Sequence, residues 1–157
     1  MATAPHHVML RRGGYDDLDA VMVVMERAFD PHYGEAWTRS QCAGILPMLG
    51  VSLVLAEDGP TLIGFSLHRT ISDEAELMLL AVDPTAQGRG IGRMLLDQFA
   101  DECGEKGAHR LHLEVRDGNP ATHFYEAAGY CVAGRRRRYY CGDEGDRLDA
   151  LTYVKNI

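Results

Sequence analysis

Seven consecutive residues, Gln87-Gly88-Arg89-Gly90-Ile91-Gly92-Arg93, place three glycines at alternate positions and two arginines among them, immediately before a strongly helical segment. Glycines let successive backbone N–H groups turn toward one ligand, and a helix N-terminus adds partial positive charge. Arg89 and Arg93 can add full charges. The chemistry this suits is the holding of a phosphate or pyrophosphate. A dinucleotide-binding loop needs GxGxxG, and here the third glycine comes one residue early. A P-loop needs GxxxxGK[ST], and no Lys-Ser or Lys-Thr pair follows. Taken alone, the loop also fits an ordinary glycine-rich turn that starts a helix.

Two further residues stand out by their setting. Glu114 is a carboxylate in the otherwise apolar alternation Leu111, Leu113, Val115, where it is either a functional group or an acid on the exposed face of a strand. Tyr125 shares a helical apolar face with Ala121 and Ala128, as a core tyrosine would. A run of four arginines, Arg135 to Arg138, falls in a segment of strand character, so alternate side chains should face opposite ways. The expectation is a solvated strand whose arginines pair with Asp143, Glu144 and Asp146. Sixteen basic residues against 23 acidic ones give a net charge of -7, which argues against nucleic acid as a partner. The acidic residues Asp143, Glu144, Asp146 and Asp149 could instead steer a basic peptide. Four cysteines and seven histidines show no metal-ligand spacing, so no metal is expected and the thiols read as free.

These residues need elements to position them. Val8 to Arg12 reads as a first strand, and Asp16 or Asp17 as the cap of a helix with Leu18, Val21, Met22, Met25 and Phe29 on its apolar face. Thr38 caps a second helix reaching about Leu49. Strands follow at Val51 to Ala56, Leu62 to Thr70 and Ala75 to Val82, the first two joined by the turn Glu57-Asp58-Gly59-Pro60. The helix after the glycine loop should bury Ile91, Met94, Leu95 and Phe99 and end by Gly104 to Gly107. Leu111 to Val115 is a strand, Asn119-Pro120 opens a last helix that Gly129 closes, and two strands, Tyr130 to Tyr139 and Leu148 to Val154, complete the chain. The fold class is mixed α/β, and the 157 residues form a single domain. No stretch is long and apolar enough to span a membrane, and the opening MATAPHHVML lacks the pattern of a signal peptide. A cytoplasmic location is expected.

The run Ala81-Val82-Asp83-Pro84 followed by Gln87-Gly88-Arg89-Gly90-Ile91-Gly92 resembles the Q/R-x-x-G-x-G/A signature of the GNAT N-acetyltransferases. Asn119 with Phe124-Tyr125-Glu126-Ala127-Ala128-Gly129-Tyr130 resembles a second block of that family, and the order of elements is the family's as well. The resemblance implies a twisted, mostly antiparallel sheet of six to seven strands flanked by four helices, with acetyl-CoA as cosubstrate. It implies that Gln87 to Arg93 hold the pyrophosphate, that Leu80, Ala81 and Val82 offer backbone groups to the pantetheine arm, and that Asn119 also contacts the cofactor. Glu114 then becomes the base that deprotonates the amine, directly or through water, and Tyr125 the acid that protonates the leaving thiolate. A backbone N–H in Leu80 to Val82 is the expected oxyanion donor.

Within the family the chain is most similar to ribosomal-protein-alanine N-acetyltransferases, on Leu113-Glu114-Val115-Arg116, Arg138-Tyr139-Tyr140, Asp149-Ala150-Leu151 and Trp37. Glu114 and Tyr125 lie eleven residues apart where that group has twelve, so either Gly118 or Asn119 takes the family's asparagine position. The implied acceptor is the N-terminal amine of a protein, with Tyr33, Trp37, Tyr139 and Tyr140 forming its groove. The competing readings are acetylation of a small amine and a non-catalytic acyl-CoA-binding module.

Overall fold

The computed structural model describes residues 7–157; the first six residues, which belong to the segment read above for a signal peptide, lie outside the described residues. Seven strands form one sheet in the order β1-β2-β3-β4-β5-β7-β6. They are β1 (Val8–Arg12), β2 (Val51–Asp58), β3 (Thr61–Ile71), β4 (Glu74–Val82), β5 (Arg110–Arg116), β6 (Cys131–Cys141) and β7 (Arg147–Asn156). Four helices accompany them: α1 (Leu18–Ala28), α2 (Arg39–Ile45), α3 (Ile91–Glu105) and α4 (Ala121–Ala127). Every neighbouring pair is antiparallel except β4 and β5. Among the described helices none is long and apolar enough to cross a membrane.

Local chemistry sets the helix boundaries. Thr38 accepts from the Gln41 N–H while the Gln41 side chain accepts from the Thr38 N–H, a reciprocal capping box that starts α2. That helix stops at Ile45, short of the Leu49 expected from the sequence, and Leu49 is exposed. Asp17 precedes α1 but does not cap it; its carboxylate accepts from the Gly14 N–H and from Arg11. Met94 also departs from expectation. It is exposed on α3, whose buried side is Ile91, Leu95, Leu96, Phe99 and Cys103.

The sheet is covered on both faces. One core packs Leu18, Val21, Val24 and Met25 of α1 with Cys42 of α2 against Leu53, Leu55, Phe65 and Leu67. The opposite face packs Leu96, Phe99 and Cys103 of α3 and Tyr125 and Ala128 against Leu111, Leu113, Val115 and Tyr153.

A single-residue bulge in β4 shapes the centre. The register passes from Leu67–Leu79 to His68–Leu77, leaving Met78 without an opposite partner. Side chains alternate along a strand, so an extra residue exchanges the faces on either side of it. Ala75 and Leu77 accordingly lie in the α3–α4 core, whereas Leu79 and Ala81 lie in the α1–α2 core. Beyond the bulge the parallel pairing also ends: β4 and β5 are joined only from Glu74–Arg110 to Leu77–Leu113. Leu80 to Val82 and Val115 to Arg116 therefore run on unpaired with each other, and a gap opens in the sheet.

Candidate active site

That gap is a cleft of about 720 Å³. Its lining takes the end of β4, the glycine loop and first turn of α3, and the start of α4 with Tyr125. From the other side come Tyr33 and Glu35 of the α1–α2 loop, with Arg116 and Asn119 from the end of β5 and the turn after it.

The cofactor side is made of backbone. Asp83 N–H donates to Ile63 O at 2.8 Å, toward β3. Alternation along the strand then points the N–H and C=O of Val82 and Leu80 toward the open side. Gly88 (φ 81°) and Gly90 (φ 78°) occupy the left-handed region that favours glycine, and a Cβ at either would meet nothing within 4 Å. The first helical bond of α3 runs from Met94 N–H to Gly90 O, so the N–H groups of Ile91, Gly92 and Arg93 have no acceptor within the helix. The loop is thus an open cradle of donors at the positive end of a fifteen-residue helix. This fits a pyrophosphate. Gln87, Gly88 and Gly90 to Arg93 line the cleft as the sequence suggested. Arg89 does not; its guanidinium turns to Asp58 of the β2–β3 hairpin at 3.1 Å. Arg93 lines the cleft while its Nε donates to Asp97 Oδ1 at 2.9 Å.

Tyr125 lies at the base of the cleft, buried against Phe124, Tyr130 and Tyr153. Burial raises its phenol well above the usual value, with Tyr130 and the carboxylate of Glu35 adding to the effect. It is protonated at neutral pH and keeps a proton to give.

Glu114 is placed differently. It is not among the lining residues. Its carboxylate, almost buried, accepts from Thr152 Oγ1 at 2.8 Å and pairs with Arg136 Nε at 3.0 Å. Tyr140 bonds the backbone of Glu114. Its hydroxyl donates to the Glu114 carbonyl at 3.4 Å, and its phenol is raised chiefly by burial, then by Glu35, Tyr139, Glu114 and Tyr125. Of the other expected acceptor-side residues, Tyr33 lines the cleft. Tyr139 is half-exposed and stacks edge-on against Tyr140 at 4.9 Å, while Trp37 packs against the α1–α2 core instead.

Asn119 lines the cleft with both ends of its amide engaged. Nδ2 donates to Glu35 Oε2 at 2.8 Å, and Oδ1 accepts from the Ala121 N–H at 2.8 Å, which secures the start of α4. Gly118 beside it adopts φ 89° to make the turn. Glu35 was not singled out by sequence reasoning. It sits among aromatic and small residues in a loop, and no local pattern identifies partners more than eighty positions away.

The arginine run departs from expectation as well. Arg135 pairs with Asp117 (2.7 Å) and Asp149 (2.9 Å), and Arg136 with Glu114, rather than with Asp143, Glu144 or Asp146. Strand alternation fails there because the β6–β7 register jumps from Arg136–Ala150 to Tyr140–Leu148. Arg137, Arg138 and Tyr139 bulge out, with Arg138 at φ 56° and its N–H held by Asp149 at 2.9 Å. Outside the lining, His32, Glu144 and Asp146 bring ligand atoms within 4.8 Å of one another at the surface. The four cysteines are free.

A gap between two parallel strands, with a donor cradle on one side and a buried phenol beside it, suits an enzyme whose substrate carries a pyrophosphate. Residues 18–130 match the model of the acetyltransferase (GNAT) family, and the chain belongs to that family. It is similar to the [ribosomal protein bS18]-alanine N-acetyltransferase of Escherichia coli, at 34 % identity over 86 % of this chain and 88 % of that one. The same-named enzyme of Haemophilus influenzae is 40 % identical over 57 % of this chain, a match spanning 62 % of that enzyme's length. The crystal structure of the ribosomal-protein-S18-alanine N-acetyltransferase from E. coli superposes with a TM-score of 0.84 at 30 % identity, covering 96 % of this chain and 94 % of that one. A putative acetyltransferase of Salmonella typhimurium, solved with its cofactor acetyl-CoA, shares the fold at a TM-score of 0.76 and 18 % identity, over 96 % and 94 % of the two chains. Acetyltransferases of this family draw the acetyl group from acetyl-CoA.

Proposed function

We propose that this chain, as one domain in the cytoplasm, acetylates the N-terminal α-amine of a protein, with an alanine terminus of a ribosomal protein as the acceptor. The observation that carries the reading is the gap between β4 and β5. Its lining comes from the α3 side, where the cradle lies, and from the α1–α2 loop, where Tyr33 and Glu35 lie, which leaves room for two substrates beside Tyr125. The names of the relatives above support the choice of acceptor.

Acetyl-CoA supplies the activated acetyl group. Gly88, Gly90 and the first-turn amides of α3 hold its pyrophosphate, with Gln87 and Arg93 beside them, and the open edge of Leu80 to Val82 takes its pantetheine arm. The N–H of Leu80 or Val82 donates to the carbonyl oxygen as negative charge grows there, a stabilisation that only the transition state draws in full. Tyr125 gives its proton to the departing sulfur. Free α-amines have a pKa of about 7.7–8.0, so much of the acceptor arrives protonated. Glu114 lies behind the lining, and it receives that proton through water rather than by contact. Arg89 and Trp37 act on the loop and the core rather than on either substrate. The chemistry asks for no metal.

Thiol release from acetyl-CoA with an N-terminal alanine peptide and with a panel of small amines tests this, in wild type beside Glu114→Gln and Tyr125→Phe. Peptide-selective turnover, lost in both variants, is the expected result. Turnover of small amines alone would overturn the acceptor assignment, and acetyl-CoA binding without turnover of any amine would make the chain a binding module.

A further inference from the structure

The carboxylate that lines the cleft and reaches Tyr125 electrostatically is Glu35, which has no part in the roles assigned above. Its side chain is only 11 % exposed, in a loop that could have left it in water. Such burial of a charge is costly unless the charge is paired and hydrogen-bonded. Both conditions are met. Oε1 accepts from Arg116 Nε at 3.2 Å and Oε2 from Asn119 Nδ2 at 2.8 Å. The Arg116 guanidinium, equally buried, lies 3.6 Å from the centre of the Tyr33 ring, a close cation–π contact. Asn119 is itself fixed by its bond from the Ala121 N–H. Tyr33 and Glu35 thereby tie the α1–α2 loop to the end of β5 and the start of α4, across the mouth of the cleft opposite the glycine cradle.

We propose that Glu35 is a positioning residue for the acceptor: through Arg116, Asn119 and Tyr33 it fixes the wall against which the incoming amine is oriented. The cradle's donors are backbone groups of another loop and helix, and Asn119, which the sequence assigned to the cofactor, has both ends of its amide taken up by Glu35 and the Ala121 N–H instead. The inference rests on the cleft being the site of acetyl transfer, as proposed above, and it holds for whichever amine the wild type accepts.

The test compares Glu35→Ala with a reciprocal pair, Glu35→Gln with Asn119→Asp. In the pair, the amide and the carboxylate exchange places. The hydrogen bond is remade, one negative charge remains near Arg116, and the carboxylate introduced at position 119 can still accept from the Ala121 N–H. Glu35→Ala should raise the acceptor KM about tenfold or more, the scale of one lost charge-assisted hydrogen bond. The acetyl-CoA KM should stay within about twofold of wild type, and the reciprocal pair should recover most of the acceptor KM. Amide hydrogen exchange should quicken across residues 31–37 in Glu35→Ala and not across 87–93. An equal rise in both KM values, no recovery in the pair, or unchanged exchange at 31–37 would overturn the proposal. Turnover restricted to small amines would remove the protein acceptor while leaving these comparisons intact.

Discussion

The two walls of the cleft are built on different principles. The cofactor wall is backbone: two left-handed glycines, three free amides at the start of α3 and the unpaired edge of β4. The acceptor wall is side chains: Tyr33, Glu35, Arg116 and Asn119, joined by charged hydrogen bonds over more than eighty positions of sequence. A backbone wall is specified locally, by where glycine permits the chain to turn. A side-chain wall exists only once distant segments have folded together. Substitutions should therefore separate the two substrates kinetically.

The largest effect should come where the walls meet. Tyr125→Phe removes the acid while keeping the ring in the aromatic cluster, and kcat should fall about 10²–10⁴-fold, the usual worth of general acid–base catalysis. KM for both substrates should change little. Because burial holds the Tyr125 phenol well above its ordinary value, the wild-type rate should show no alkaline decline from this group up to pH 10. A Phe variant with ordinary kcat and a raised acetyl-CoA KM would make Tyr125 part of the cofactor wall alone.

The next effect concerns what anchors α3. His68 is fully buried on β3, its Nε2 3.0 Å from Glu102 Oε2 yet misaligned for a hydrogen bond. Glu102 also pairs with Arg12 and Lys106. Burial outweighs the attraction of Glu102 and lowers the imidazole to about 4 from its ordinary 6.5, so it is neutral in the folded chain. Between pH 6.5 and 4 the unfolded chain binds this proton and the folded chain does not, so stability falls as pH falls, by about 3 kcal/mol across the window. Glu102, held at about 2 against 4.5, takes up the loss further down, from pH 4.5 toward 2. Urea midpoints at pH 7 and pH 5 should show the decline in wild type and a flatter response in His68→Leu.

Gly90→Ala tests the backbone wall directly. The added methyl meets nothing within 4 Å, so only the φ of 78° resists it, at about 1–2 kcal/mol. Acetyl-CoA KM should rise about tenfold and acceptor KM should not. A change in acceptor KM alone would erase the distinction between the walls.

The same distinction explains what the sequence disclosed. Val8–Arg12, the β2–β3 hairpin, the Thr38 cap and the glycine loop follow from local spacing and turn chemistry, and each formed where local rules put it. The Met78 bulge did not announce itself, because Ala75, Leu77, Leu79 and Ala81 keep an unbroken alternation that suggests a single face. Arg135 to Arg138 misled for a related reason, as a multi-residue bulge replaced the alternation and Asp117 and Asp149 became the partners. Glu35 carried no local signal at all, since its meaning depends on Arg116 and Asn119, more than eighty positions away at the end of β5 and in the turn after it.

The smallest effect should appear furthest from the reacting atoms. Asp143 and Glu144 lie in the β6–β7 turn, where Asp143 sits 3.8 Å from His32, next to Tyr33 of the acceptor wall. Both are exposed, so they make no fixed contact that a substrate would have to match. What they can do is raise the local concentration of a cationic acceptor, a long-range effect that salt screens with a Debye length of about 10 Å at 0.1 M. Asp143→Lys with Glu144→Lys should therefore lower kcat/KM for a basic N-terminal peptide by about threefold at low ionic strength, with kcat and acetyl-CoA KM unaltered. The difference should vanish near 0.5 M salt and be absent for a neutral peptide. An unchanged kcat/KM for the basic peptide at low salt would leave acceptor selection to the Tyr33–Arg116–Glu35–Asn119 wall alone.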